Sequence, residues 1–271
     1  MPPVETVLSQ GSFRHLDTGE FALAAAVAGF DALAVWRQAP GYRGARATAR
    51  AAAQAGIRVD TVCRGGVLDR AGHDDTVRAL GEAAELGAGV LVVIAGPPRP
   101  ADPRAAGADL RAALELAVPA AERAGVVIAL EPFHPVLAAD RSWLVTLAQA
   151  VDVADEFDSP FLGIAVDSYH LWWDPLLAAG LRRAGSRIAA VQLADWVVPE
   201  PGLLPPRGLP GEGVVPLREF VKLTREAGYR GALEIEVLGD RFRSLPAPDA
   251  ARSLKTALDD TAVGAEEGSH A

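Results

Sequence analysis

The chain has 271 residues, half of them hydrophobic, with a net charge of −9 and one cysteine. That length suits two small domains or one α/β barrel, which reaches about 250 residues as a single domain. The acidic balance argues against a nucleic-acid or membrane-surface partner. With Cys63 alone, an internal disulfide is excluded.

The first residues, MPPVETVLSQGSFRHL, carry no basic stretch followed by an apolar core, so no signal peptide is expected. The apolar run at 21–30 is too short to span a bilayer. A cytoplasmic protein is therefore expected. Eight short apolar runs rich in β-branched residues then read as buried parallel strands: 5–8, 32–36, 58–63, 90–95, 126–130, 162–166, 188–193 and 232–237. Helical stretches lie between them. Asp74 is placed to cap one that runs to Leu86 and stops at Gly87. Pro119 falls inside a helix at about 109–123 and is expected to kink or break it. Pro216 suits a first helical turn, Gly228 closes that helix, and Leu217, Phe220, Val221 and Thr224 share one face of it.

Eight strand–helix units in a row predict an α/β fold, a single (β/α)8 TIM barrel over 1–263, with 264–271 as a loose tail. No GxGxxG follows the first strand, which leaves a dinucleotide site without support. Loops rich in Pro and Gly at 97–103 and 197–213 follow strands and so belong to the catalytic face.

In such a barrel the chemistry sits at the C-terminal ends of the strands. Glu131 ends the fifth strand in VVIALEPFHP, and Asp167 the sixth in GIAVDSYHLWWDP. Gln192 lies on the seventh in IAAVQLADW, with Glu234 and Glu236 on the eighth in YRGALEIEVL. Each has an ordinary alternative: an arginine partner for Glu131, a helix cap for Asp167, backbone pairing for Gln192. Together they place oxygen donors on four consecutive strand ends. Carboxylates converging there repel one another, and a divalent cation resolves the repulsion. Glu234 and Glu236 share strand parity, and position slightly favours Glu236 as the ligand.

LEPFHP, VDSYHLWWDP, VQLADW, RGLPGEG and YRGALEIEV resemble the sugar phosphate isomerase/epimerase superfamily, the xylose isomerase-like TIM barrels, over about residues 4–237; CRGG at 63–66 resembles a turn of some members. The resemblance implies one divalent metal ion held by Glu131, Asp167, Gln192 and Glu236. Gln192 stands where many relatives have histidine, as in the hydroxypyruvate isomerase pattern. An all-oxygen set favours Mn²⁺ or Mg²⁺ over Zn²⁺. The resemblance further implies His170 and Arg207 as substrate contacts, His134 as a base or substrate contact, and Trp36 and Trp173 among the tryptophans walling the pocket.

The expected reaction is isomerisation or epimerisation of a sugar or polyol through an enediolate, and the resemblance to epimerases implies Glu131 and Glu236 on opposite faces of the reacting carbon. The rival is elimination from a keto-sugar by an inosose dehydratase-like or 3-keto-C-glycoside-cleaving enzyme, with His134 as base. That rival would bring a small partner subunit, and relatives often form homo-oligomers. Abasic-site endonucleases share the barrel but use three zinc ions and many histidines. This chain has five histidines, two of them near the proposed site. A barrel that binds a sugar without turning it over is the remaining reading.

Overall fold

A computed structural model describes residues 4–68, 72–98, 102, 105–200 and 204–267. Eight parallel strands close into one barrel in the order β1-β10-β7-β6-β5-β4-β3-β2. In chain order these are β1 (Thr6–Ser9), β2 (Ala32–Trp36), β3 (Arg58–Cys63), β4 (Val90–Val93), β5 (Val127–Leu130), β6 (Leu162–Asp167), β7 (Ile188–Leu193) and β10 (Leu233–Ile235). The single (β/α)8 TIM barrel expected from the strand count is the observed fold. Helices α1 (Thr18–Ala28), α2 (Ala45–Ala55), α3 (His73–Leu86), α4 (Ala106–Ala124), α5 (Leu147–Phe157), α6 (Ser168–Leu171), α7 (Leu177–Ala184), α8 (Leu217–Glu226) and α9 (Ala247–Glu267) fill the gaps. Among the described residues no helix is long and apolar enough to cross a membrane.

The two faces of the strands divide by size. Leu33, Val62, Leu91, Ile128, Ile164, Leu193 and Ile235 pack outward into one cluster with the helices. The opposite parity faces the barrel axis and is small: Val7, Ala32, Ala34 and Ala232 form one patch, and Cys63, Val92, Ala129, Ala165 and Ala190 another. Bulky branched residues commonly fill this interior. Two residues further along the same inward rows come Ser9, Trp36, Glu131, Asp167, Gln192 and Glu234, with Glu236 one step higher.

Local chemistry explains most boundaries. Gly87 takes φ 70°, a left-handed turn that ends α3 without a Cβ penalty. That helix begins earlier than its sequence suggests: Gly72 is the N-cap, and Asp74 sits in the first turn, where it favours the helix dipole without capping. Helix α4 runs unbroken through Pro119. Pro119 and Glu115, whose carbonyl loses the missing amide, are both on the exposed face, where water can substitute. Leu217, Phe220, Val221 and Thr224 are the buried face of α8, as their spacing predicts. Helix α9 reaches Glu267, so four residues of the expected tail are helical; 268–271 lie outside the described residues.

The loop expected at 197–213 holds more order than its composition suggests. Strand β8 (Asp195–Trp196) pairs antiparallel with β9 (Arg207–Gly208), a ribbon that carries Arg207 back over the barrel mouth. Much of the other Pro-rich loop, 97–103, lies outside the described residues.

Candidate metal centre

The site gathers acceptors from neighbouring strand ends and pairs two of them with one guanidinium. Glu131, Asp167, Glu234 and Glu236 are all at most 5% exposed, and Gln192 and His170 are equally buried. Register sets the rows: Asp167 pairs with Gln192 across β6 and β7, and Gln192 with Glu234 across β7 and β10.

Asp167 Oδ1 accepts from the Tyr169 amide (2.9 Å) and so caps α6. The cap and the site use different oxygens of one carboxylate. Oδ2 lies 2.8 Å from Arg207 Nη1, an ion pair without hydrogen-bond geometry, and keeps no hydrogen-bond partner. Glu236 is firmly held: Oε1 accepts from Ser9 Oγ (2.9 Å) and Trp36 Nε1 (3.1 Å), and Oε2 lies 3.3 Å from Arg207 Nη1. Glu131 has only a looser neighbour, His170 Nε2 at 3.7 Å. Gln192 Nε2 donates to Glu234 Oε1 (3.0 Å), and Gln192 Oε1 and Glu234 Oε2 are left without hydrogen bonds.

Arg207 reaches Asp167 and Glu236 from β9. Its guanidinium lies over the Tyr169 ring at 4.5 Å, and Nη1 also donates to the Glu236 carbonyl (3.2 Å). His170 Nδ1 accepts from the His134 amide (3.2 Å), and Nε2 lies 3.8 Å from Asp167 Oδ2. Arg207 Nη2 is 3.2 Å from the same nitrogen.

The electrostatics follow from this crowding. Burial, with Asp167 and Glu236 nearby, pushes the Glu131 carboxyl well above the usual range. Burial pushes Asp167 up to about 6 against the pull of Arg207. Burial and then the Arg207 charge hold His170 well below an ordinary histidine, hence neutral. Four buried carboxylates share one guanidinium, and Asp167 Oδ2, Gln192 Oε1 and Glu234 Oε2 lack a hydrogen bond. These residues fit a hard divalent cation, which takes oxygen ligands and offsets carboxylate charge. Glu131, Asp167 and His170 alone bring three ligand atoms within 4.8 Å of one another.

The rest of the sequence-predicted set lies close by in different roles. His170, expected to touch substrate, stands among the carboxylates. Gln192 turns its amide nitrogen to Glu234, and Arg207 joins Glu236 to Asp167. Trp36, expected as a wall, gives its indole N–H to Glu236. Trp173 donates to the His170 carbonyl (2.8 Å) and meets the His134 ring edge-on at 5.7 Å between centroids. His134 is partly buried at the rim, 4.3 Å from the Trp196 ring. Its Nδ1 accepts from the Val136 amide (3.1 Å), which leaves the proton on Nε2.

Two contributors escaped the sequence reading. Ser9 ends β1, and the strand-end rule applied there as well would have found it. Asp195 accepts from the amides of Trp196, Gly211, Gly213 and Val215 at 2.9–3.0 Å and folds the loop that carries Arg207. Gly213 is required there, since a Cβ would sit 2.2 Å from the Trp196 carbonyl oxygen.

A closed barrel with this acidic mouth defines a class, and comparison with known proteins gives the family. The chain belongs to the xylose isomerase-like TIM barrel family, whose pattern it matches over residues 21–259. A solved protein of Sinorhizobium meliloti is 32% identical, covering 94% of this chain and 98% of its own, with a TM-score of 0.87. A 3-dehydroshikimate dehydratase of Pseudomonas aeruginosa is 37% identical over 120 residues, 40% of this chain and 19% of that protein. The chain thus spans about a fifth of the length of that relative. The Escherichia coli 3-keto-D-glucoside 4-epimerase shares the fold, with a TM-score of 0.72, 20% identity, and coverage of 93% and 99%.

Proposed function

We propose that this protein is a divalent-metal-dependent sugar isomerase or epimerase that removes a proton beside a carbonyl and works through an enediolate. The observation that carries the reading is the cluster of four buried carboxylates at the barrel mouth, with one guanidinium paired to two of them and three acceptor atoms left without a hydrogen bond. Glu131, Asp167, Gln192 and Glu236 would hold the ion, Mn²⁺ or Mg²⁺ ahead of Zn²⁺ because the donors are all oxygen. Such an ion supplies Lewis acidity toward the carbonyl and neighbouring hydroxyl of the substrate.

The chain's own residues divide the remaining work. Glu131 is the base: its carboxylate is loosely held, and burial raises its proton affinity. Glu236, fixed by Ser9 and Trp36, faces the reacting carbon from the other side and returns the proton in epimerisation. Arg207 offers donors to substrate oxygens, with His170 beside it. His134, Trp173 and Trp196 form an aromatic rim suited to the apolar face of a sugar.

Elimination is the second reading. Two observations favour it: the likeness to a 3-dehydroshikimate dehydratase, and a rim histidine whose Nε2 proton is available to a departing hydroxyl. NMR in D2O separates the two with ketoses, inososes, 3-keto-glycosides and 3-dehydroshikimate as substrates. Deuterium entering beside the carbonyl with the hydroxyls kept means isomerisation or epimerisation. Loss of water with a new double bond means elimination. No exchange with any of them, in protein loaded with Mn²⁺, contradicts both.

A further inference from the structure

We propose that Glu234 is a positioning residue that fixes which end of the Gln192 amide faces the metal. The inference rests on the reading of Gln192 as a ligand and assigns a role to a buried carboxylate that this reading leaves unused. Gln192 stands between two acceptors in one register row, Asp167 on β6 and Glu234 on β10. A side-chain amide has a donating end and an accepting end, and only the accepting end can bind a cation. Nε2 donates to Glu234 Oε1 at 3.0 Å. Oε1, the other end, is buried and has no hydrogen-bond partner, as is true of Asp167 Oδ2. A cation would satisfy the free Gln192 oxygen together with Asp167 Oδ2 on the neighbouring strand, an oxygen that faces Arg207 without a hydrogen bond.

The reverse orientation would put the NH2 group against Asp167 and set the amide oxygen against a Glu234 oxygen. Glu234 opposes that flip, because its carboxyl group offers an accepting oxygen to the amide whether or not it is ionised. Burial of Glu234 at 2% exposure is costly on its own. Holding a ligand in its binding orientation gives that burial a function, in the way outer-shell partners orient metal-bound histidines. The sequence also fits: Glu234 precedes Glu236 by two residues, so one strand delivers the ligand and, one row below, the residue that aims its neighbour.

The test compares the full-length wild type with Glu234→Met and Glu234→Gln. Mn²⁺ affinity is read by titration with electron paramagnetic resonance. The Gln192 side-chain amide is followed by ¹⁵N NMR in metal-free protein. Met removes the acceptor, whereas Gln keeps an accepting carbonyl without the charge. The expected result is a roughly 10- to 100-fold weaker Mn²⁺ affinity for Glu234→Met, in line with outer-shell losses elsewhere. Glu234→Gln should stay within about threefold of wild type, a small part of that same range. Slowed hydrogen exchange at one Gln192 amide proton should be present in the wild type and Glu234→Gln and absent in Glu234→Met. Unchanged affinity in Glu234→Met overturns the inference. A fall in Glu234→Gln as large as in Glu234→Met also overturns it, because Glu234 would then be a ligand itself. If the wild type takes up no Mn²⁺, the ligand reading fails instead, and the amide exchange still reports whether Glu234 fixes Gln192.

Discussion

Replacing Arg37 with Met should cost about 2–3 kcal/mol of stability, between an exposed ion pair and a fully buried one. Arg37 follows β2 and is 9% exposed at its side chain. All five of its N–H donors are used. Nε and Nη2 go to Glu82 (2.9 and 3.3 Å), Nη1 and Nη2 to Asp75 (both 3.0 Å), and Nη1 to the Arg64 carbonyl (3.1 Å). Tyr42 Oη also donates to Glu82 (2.5 Å). Losing one partner of a buried pair costs about 3–5 kcal/mol, mostly through the charge left behind. Here Asp75 and Glu82 keep 33% and 29% exposure and can draw water, which lowers that figure. Met retains most of the stem packing. The midpoint of thermal unfolding should fall by about 5–10 °C at pH 7.

The pH dependence gives the argument a second handle. The Arg37 hydrogen bonds hold Asp75 below its ordinary value. Burial would raise Glu82, but hydrogen bonds from Arg37 and Tyr42 outweigh it and hold it low as well. A carboxylate lowered in the folded state stabilises above its unfolded value, near 4, and loses that contribution as pH falls through the folded value. The gap between wild type and Arg37→Met should therefore narrow below about pH 4. Thermal unfolding at pH 7 and pH 3.5 measures it. A shift smaller than about 1 °C at pH 7, or one that does not narrow in acid, refutes the reasoning.

Three further outcomes are expected. Asp195→Asn replaces two accepting oxygens by one; it should cost about 2–4 kcal/mol and expose the loop around Arg207 to limited proteolysis. Trp36→Phe removes one donor from Glu236 and should weaken Mn²⁺ binding about tenfold, measured by calorimetry, with the fold intact by circular dichroism. Mn²⁺ should raise the unfolding temperature more at pH 7 than at pH 5. Asp167 is pushed up to about 6, so it is mostly protonated at pH 5, and at pH 7 its buried charge destabilises the fold until a cation arrives. An equal rise at both pH values would count against Asp167 as a ligand.

How much of this was legible depended on whether a residue's role is set by its own strand or by a distant partner. The eight strands, the barrel, and Glu131, Asp167, Gln192 and Glu236 at the mouth follow from local patterns and the strand-end rule. Ser9 meets Glu236 across 227 residues of sequence, and no spacing announces that contact. Trp36 reads as a wall because sequence shows an aromatic ring and hides the direction of its N–H. The pairing of Gln192 with Glu234 needed the register of β7 and β10, which periodicity leaves undetermined. Asp74 looked like a cap because the glycine that does the capping, Gly72, carries no side-chain signal.

The most direct test of the account is the metal content of the purified protein by elemental analysis, for wild type, Glu131→Gln and Asp167→Asn, after loading with Mn²⁺ and removal of free ion. The account predicts close to one ion per chain in the wild type and a strong loss in both variants, since Glu131 and Asp167 belong to the group, with His170, that brings its ligand atoms within 4.8 Å. Wild-type protein that retains no divalent ion, or variants that retain as much as the wild type, would contradict it.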